Sequence, residues 1–215
     1  MTRFDRKMRL FAACLSAVAG YVDAIGFMES RGFFVSFMSG NSTRVGVGWV
    51  QGSSSGLIAA GLILCFLTGV VGGSVAGHWA RRLRRSAVLG LVAVLLAVAA
   101  SLNARGIQIP AVALMAVAMG AENAVFTEDG EVRIGLTYMT GTLVRLGQNI
   151  SLALFGGPAW AWIPYFWLWF GLLIGACIGA SAYHALGLAA LWWAALLVGL
   201  MAVVAPKIVP AGTED

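Results

Sequence analysis

The sequence predicts an all-α, polytopic helical membrane protein made of two related halves. Three observations support this fold class: an apolar composition, long stretches without charged residues, and motifs that recur about 100 residues apart. Hydrophobic residues fill 60% of the 215 positions and charged residues only 11%, whereas soluble domains carry about 25% charged residues. So few charged side chains cannot cover a surface that faces water, and lipid is therefore the expected solvent.

Eight apolar segments divide the chain. No Asp, Glu, Lys or Arg occurs at positions 45–80 or 146–206, and each stretch exceeds the roughly 20 residues that one membrane crossing needs. The first segment contains Ala17-Val18-Ala19, which resembles a signal-peptide cleavage site. We expect it to be retained, because an internal repeat includes residues on both sides of it. The segments are 8–28, 33–51, 56–79, 86–103, 107–126, 134–156, 160–184 and 187–206.

Four landmarks occur twice in the same order, which indicates a duplication. The offset between the copies grows from 100 to 106 residues through small insertions. We expect a first repeat at 1–105 and a second at 106–215, which together form one membrane domain. The matched landmarks are 20–25 with 120–125, 36–40 with 137–141, 44–46 with 145–147, and Gly69, Gly73 and His78 with Gly175, Gly179 and His184.

The distribution of Lys and Arg predicts how many segments cross the membrane. If all eight crossed, each face would carry six basic residues, leaving aside the two arginines inside segments. If segments 33–51 and 134–156 enter the membrane and return, ten basic residues share the N-terminal face and only Arg31 and Arg105 lie opposite. The positive-inside rule favours the second arrangement, with both termini on the cytoplasmic side of the cell inner membrane.

Each half then contains three crossings plus one broken, re-entrant helix, and the odd number inverts the second half relative to the first. Inverted repeats with broken helices that meet near the membrane midplane are typical of secondary transporters. The alternative is eight full crossings in two parallel repeats. We expect the breaks at 39–44 and 140–142, with Asn41 and Thr142 as N-caps of the helices that follow.

Three segments carry a resemblance to a known family. They are Gly-Tyr-Val-Asp-Ala-Ile-Gly-Phe at 20–27, Phe-Val-Ser-Phe-Met-Ser-Gly-Asn-Ser-Thr-Arg at 34–44 and Thr-Gly-Thr-Leu-Val-Arg at 140–145. The chain resembles the YoaK-type family of small bacterial membrane proteins, a domain of unknown function, over nearly its whole length. The resemblance implies a multi-pass inner-membrane protein without an established substrate, and it supplies no catalytic residues.

Two arginines inside the predicted re-entrant helices are the sharpest functional signal. Arg44 and Arg145 would each occupy the third helical position, where a cation opposes the helix dipole and burial costs roughly 2.5–3.5 kcal/mol. A bound anion would offset both costs; alternatively, the arginines pair with the chain's own buried acids. The predicted substrate-binding residues, which would surround a central polar cavity, are Ser39, Gly40, Asn41, Thr43, Arg44, Thr140, Gly141, Thr142 and Arg145.

Carboxylates inside apolar segments are functional candidates by default, as proton or cation sites. Asp23 lies about one and a half turns inside its segment, and Glu122 and Asn123 occupy the matching region of the second half. These three residues form the predicted coupling set. By pseudo-two-fold symmetry, we expect Asp23 near the second re-entrant helix and Glu122 near the first.

The remaining sequence features narrow the function classes. The basic residues flank apolar segments without an interleaved aromatic stripe, which argues against nucleic-acid binding despite a net charge of +5. No nucleophile–base pair, cofactor motif or metal-ligand spacing occurs in the sequence, so we expect no enzyme, no cofactor and no metal site. The leading hypothesis is a secondary transporter or exchanger of a small polar, anionic solute. A passive channel and a non-transporting scaffold or assembly protein are the alternatives, and homo-oligomerisation is left open.

Overall fold

The computed structural model describes residues 5–128, 131–132 and 134–208, and these ranges form eight α-helices. The predicted all-α, polytopic membrane fold is confirmed. The helices are α1 (Arg6–Glu29), α2 (Met38–Val50), α3 (Ser55–Ala80), α4 (Arg84–Ala104), α5 (Gln108–Glu122), α6 (Met139–Leu154), α7 (Ile163–Leu186) and α8 (Leu191–Ile208). Short 3-10 turns lie at Arg81–Leu83, Asn123–Phe126 and Gly187–Ala190. Two short antiparallel strands, β1 (Thr127–Glu128) and β2 (Glu131–Val132), follow the second of these turns.

Two of the helices are too short to cross a bilayer. α2 has 13 residues and α6 has 16, so they span about 20 and 24 Å, less than the hydrocarbon core of about 30 Å. α5 has 15 residues, but the 3-10 turn Asn123–Phe126 extends it to a stretch of 19 residues, Gln108–Phe126. The other six lie within four apolar stretches of spanning length. Two of these stretches, Ser55–Ala104 and Ile163–Ile208, each contain two helices joined by a reversal of chain direction. The four stretches therefore hold six crossings.

Local geometry locates the two reversals. A Cβ atom added to Gly77 in α3 would lie 3.4 Å from Cγ2 of Val88 in α4, although eleven residues of continuous helix would separate them by about 16 Å. Between these helices Arg81 has φ +44°, and Gly187 at the end of α7 has φ +58°. Neither angle fits a right-handed helix, so each stretch turns back on itself at this point.

Close helix pairs join the two halves of the chain. In each pair, a Cβ atom on a glycine of one helix would collide with a backbone carbonyl of the other, so only glycine permits the approach. Residue numbers rise together along both interfaces, which makes α1 parallel to α7 and α3 parallel to α5. The first helix of each half thus packs on the third helix of the other half. The colliding pairs are Gly175 with Ala17, Gly179 with Tyr21, Gly69 with Val117, and Gly73 with Ala121.

α1 and α5 run antiparallel. Near the start of α1, the Phe11 ring centroid lies 6.3 Å from that of Phe126, which follows α5. Towards the end of α1, Gly26 lies beside the Cε atom of Met115, earlier in α5. Since α3 is parallel to α5, both α3 and α5 run opposite to α1 and α7.

The helix directions therefore alternate through six crossings. Lys7 of α1 and Ile208 of α8 line the same groove, so the first helix starts where the last one ends. The residues 81–85, which form the turn after α3 and the start of α4, lie on that same face, here called the basic face. The other face is called the opposite face. The charge distribution predicts this arrangement, and the alternative of eight full crossings is wrong.

The apolar core lies where α1, α4, α5 and α8 meet. Leu15, Leu89, Met115 and Val198 are fully buried there. Large apolar side chains on the outer surfaces of α3 and α7 stay exposed, as expected for helices that face lipid.

We predict that Gly69→Ala destabilises the protein by about 1–3 kcal/mol, because its new methyl group would collide with the carbonyl of Val117. Gly72→Ala in the same helix is the matched control, since open space surrounds Gly72, and it should be neutral or stabilise by up to about 1 kcal/mol. Thermal unfolding of the purified variants measures both effects. Equal stability of the two variants would contradict the close packing of α3 on α5.

Candidate functional site

The chain between α1 and α2 turns back into the bilayer, where Asp23 holds it. Oδ1 of Asp23 accepts hydrogen bonds from the N–H groups of Val35 (2.9 Å) and Ser36 (2.7 Å). Asp23 lies six residues before the end of α1, so the loop reaches about 9 Å below that end. Non-helical backbone at this depth must be satisfied by the protein or by water in a cavity, and here the carboxylate supplies the acceptor.

Asn41 secures the same loop from α2. Its side chain is fully buried, with Oδ1 accepting from the N–H of Phe34 (3.1 Å) and Nδ2 donating to the carbonyl of Phe34 (2.7 Å). One amide therefore satisfies both backbone groups of a residue that lies outside any helix.

The loop before α6 is held at the equivalent positions. Asn123, which matches Asp23 in the repeat, accepts a hydrogen bond from the hydroxyl of Thr137 (3.1 Å), which matches Ser36. Its Nδ2 donates to the carbonyl of Met119 (2.9 Å). An amide thus replaces the carboxylate without loss of the anchoring role.

Ser16 shows how deep the second loop reaches. Its Oγ lies 3.0 Å from the carbonyl oxygen of Leu168 in α7 and 3.4 Å from that of Leu136 in the loop. Ser16 is the eleventh of the 24 residues of α1, so Leu136 lies near the middle of the bilayer.

The starts of α2 and α6 meet at a cavity of about 280 Å³. Phe66, which forms part of the wall, is the twelfth of the 26 residues of α3, and this places the cavity near the membrane midplane. No side chain among the described residues caps the first N–H groups of either short helix. The lining residues are Ser36, Phe37, Met38, Ser39, Phe66, Thr137, Tyr138, Met139, Thr140 and Gly141.

Each short helix leads from this cavity to a different face. α2 ends at the turn 51–54, where α3 begins on the opposite face, and Gly48 packs against Gly56 across that turn. α6 ends before α7, which begins on the basic face. The two helix N-termini therefore approach one point from inverted elements.

Part of the predicted binding set lines the cavity. Ser39, Thr140 and Gly141 do so, and the last of these has open space where a side chain would be. Ser36 and Thr137 line it as well but were missing from the prediction, although the repeat alignment already pairs these two hydroxyl residues.

Arg44 and Arg145 do not line the cavity, which corrects their predicted position. Each is the seventh residue of its helix rather than the third, and therefore lies about 9 Å beyond the helix start. The guanidinium carbon of Arg44 lies 5.0 Å from the ring centroid of Phe33, and Arg145 is exposed.

The predicted N-caps were also misplaced. Asn41 and Thr142 are the fourth residues of continuous helices, whose N-caps are Phe37 and Tyr138. The hydroxyl of Thr142 donates to the carbonyl of Tyr138 (3.2 Å). The backbone breaks thus precede the segments 39–44 and 140–142. In the first half, the amide of Asn41 is bonded to the preceding loop and does not cap a helix.

Two other predicted residues have local roles. Gly40 lies against the rings of Phe34 and Phe37, with too little space for a Cβ atom. Thr43 is exposed, and its hydroxyl donates to the carbonyl of Ser39 (3.3 Å). Neither residue lines the cavity.

The acidic candidates also differ from expectation. Asp23 bonds to the loop of its own half, so the predicted pairing with the second re-entrant helix is wrong. Glu122 is fully buried, and neither of its carboxylate oxygens has a hydrogen-bond partner among the described residues. Val22, its counterpart in the repeat, is equally buried. The second half thus carries a carboxyl group where the first half has an apolar side chain.

The comparisons with known proteins give the family. A model described as "Protein of unknown function (DUF1275)" matches residues 11–204. The chain belongs to this family. It is also similar to the UPF0700 transmembrane protein RA0705 of Rhizobium meliloti (strain 1021), with 39% identity over 209 residues, covering 91% of this chain and 85% of the relative. No solved structure matches.

These matches agree with what the resemblance to the YoaK-type family implies. A family of unknown function and a transmembrane relative fit the expected multi-pass membrane protein. The YoaK-type name itself stays a prediction.

Substitutions of Asp23 separate anchoring from coupling. Asp23→Ala leaves two N–H groups of the loop unpaired, and we expect a loss of about 1–3 kcal/mol for each in the free energy of unfolding. Asp23→Asn keeps an acceptor oxygen, as Asn123 does in the second half, and should cost much less. Thermal unfolding in detergent compares the two, and equal destabilisation by Ala and Asn would contradict the anchoring role.

Proposed function

We propose that this DUF1275 protein is a secondary transporter or exchanger that binds a small polar, anionic solute in the cavity between the starts of α2 and α6. The observation that carries the proposal is the meeting of two helix N-termini from inverted elements at mid-membrane depth. Transporters with inverted repeats bind their substrates at such points, where interrupted helices direct their positive ends at anionic groups.

The electrostatics of the cavity favour an anion. The first N–H groups of a helix lack intrahelical acceptors, and the helix dipole places about half a positive elementary charge at that end. Two such ends share this cavity, and the hydroxyl groups of Ser39 and Thr140 add further donors.

The size of the cavity limits the solute. Sites for drug-sized ligands have volumes of roughly 300–1,000 Å³. At about 280 Å³, this cavity suits a small organic anion or an inorganic ion.

The two arginines act along the access routes to the cavity. Arg44 lies on α2 towards the opposite face, and Arg145 lies on α6 towards the basic face. A positive charge on each route raises the local concentration of an anion and speeds its arrival from either side. Their contribution is therefore to the rate of solute entry rather than to contacts in the cavity.

Glu122 is the residue to which we assign coupling. A buried carboxylate without partners costs several kcal/mol while it stays charged, and uptake of a proton or a cation removes that cost. Glu122 directly precedes Asn123, which is bonded to Thr137 in the cavity wall. A change at the carboxyl group can reach the cavity through this connection. Asp23 and Asn123 keep the anchoring roles described above.

The basic face is assigned to the cytoplasm of a bacterial cell and the protein to its inner membrane. The described helices and turns place Arg31 and Arg105 on the opposite face, whereas the basic face carries the start of α1, the four arginines of 81–85 and Lys207. Cytoplasmic loops carry such an excess of Lys and Arg.

The test measures ligand-induced thermal stabilisation. Purified protein is screened against formate, acetate, lactate, nitrate, phosphate and sulfate, with glycerol as an uncharged control. We expect at least one anion to raise the unfolding midpoint, because a ligand at 100 times its Kd stabilises by about 2.7 kcal/mol. Thr140→Val should abolish this shift through loss of its hydroxyl group. Thr68→Val, at an exposed threonine of α3, is the matched control and should retain it.

Transport in proteoliposomes separates the candidate functions. A gradient-driven transporter accumulates the stabilising anion above its equilibrium level, and Glu122→Gln should abolish the accumulation while exchange persists. A channel would only equilibrate the anion. No stabilisation by any anion, together with no flux, would overturn the proposal and favour a scaffold.

A further inference from the structure

A second cavity shares no lining residue with the one between α2 and α6. It is a groove of about 600 Å³ along α1, α7 and α8, and its walls are almost wholly apolar. α8 packs closely on α4 but only lightly on α1, which leaves the groove between them. Leu10, Trp193 and Leu197 in its walls are exposed, so it is open sideways to the bilayer.

The groove has one charged end and one apolar end. Lys7 is the charged residue among the described residues that line it, and it lies at the basic face beside Ile208. Exposed Arg6 and Lys207 add positive charge there, and Asp5 is the acidic residue beside them among the described residues. The other end offers no free hydroxyl group, because Tyr21 donates to the carbonyl of Ala190 (2.9 Å).

The groove is long enough to hold an acyl chain from one leaflet of a bilayer. Lys7 and Tyr21 are fourteen residues apart in α1, a rise of about 21 Å. Half of a hydrocarbon core is about 15 Å thick, so the groove extends from the headgroup level past the end of the acyl chains.

We propose that this groove is a binding site for an anionic phospholipid of the leaflet at the basic face. Its phosphate group pairs with Lys7, and an acyl chain lies along α1 and α8. Basic pockets between transmembrane helices on the cytoplasmic side bind anionic lipid headgroups in this manner. A second copy of the chain fits less well, because a two-fold axis along the membrane normal would bring the basic ends of two grooves together.

Native mass spectrometry of the intact protein in detergent tests the charged end. The probes are dioleoyl phosphatidylglycerol, dioleoyl phosphatidylcholine and inorganic phosphate. We expect the first lipid bound to be phosphatidylglycerol, with an affinity about fivefold lower in Lys7→Gln. Arg82→Gln is the matched control: it removes one exposed positive charge from the same face outside the groove, and should leave the affinity unchanged.

A second pair of variants tests the apolar part. Cys14 is exposed and lines the groove, whereas Cys177 is exposed on α7 outside it. Cys14→Trp should reduce phosphatidylglycerol binding several-fold and Cys177→Trp should not, with thermal unfolding confirming that both variants fold. Equal affinity for the two lipids, competition by inorganic phosphate, or equal effects of the two Trp variants would overturn the proposal. The proposal would also be overturned if the unsubstituted protein were a dimer that the Cys14→Trp substitution dissociates.

Discussion

The structure depends on one constraint: backbone N–H and C=O groups inside a bilayer must find partners within the protein or in a wet cavity. Two loops of this chain return to membrane depth, so they need partners that helices do not. Asp23, Asn41 and Ser16 hydrogen-bond to backbone groups of these loops, and Asn123 accepts a hydrogen bond from the side chain of Thr137 in the second loop. At the starts of α2 and α6, the N–H groups of Met38, Gly40 and Met139 donate to neighbouring carbonyl groups. Those of Ser39 and Thr140 have no partner among the described residues, and both residues border the cavity.

The interlocking of the two halves gives this cavity a fixed frame. Each half's first helix packs on the third helix of the other half through glycines that meet backbone carbonyls. Pulling the halves apart would break both interfaces, so we expect the short helices α2 and α6 to move against this frame rather than the halves against each other. A movement of one short helix would open the cavity to one face, which is how inverted elements provide alternating access.

The sequence predicts those features that are summed over many residues. Apolar segments and the distribution of Lys and Arg give the fold class, the number of crossings and the two short helices, because hydrophobic burial and charge asymmetry act over whole segments. The repeat also places Ser39 and Thr140 at one site. The predicted starts of the short helices were wrong. Asn41 resembles an N-cap in the local sequence, but its side chain bonds to Phe34, seven residues earlier. α2 therefore starts at Met38, earlier than predicted, and Arg44 lies beyond the cavity instead of in its wall. Sequence rules for helix caps consider only neighbouring residues, so they cannot predict a hydrogen bond that depends on how the loop folds back.

The central claim is that α2 and α6 lead from one cavity to opposite faces. Ser53 and Ala159 test it directly, because each lies in the turn that follows one of these helices and both are exposed. Each is replaced by Cys in a protein without Cys14, Cys65 and Cys177, and a membrane-impermeant maleimide is applied to sealed vesicles of known orientation. We expect the two positions to be labelled from opposite sides of the membrane. Labelling of both from the same side would contradict it.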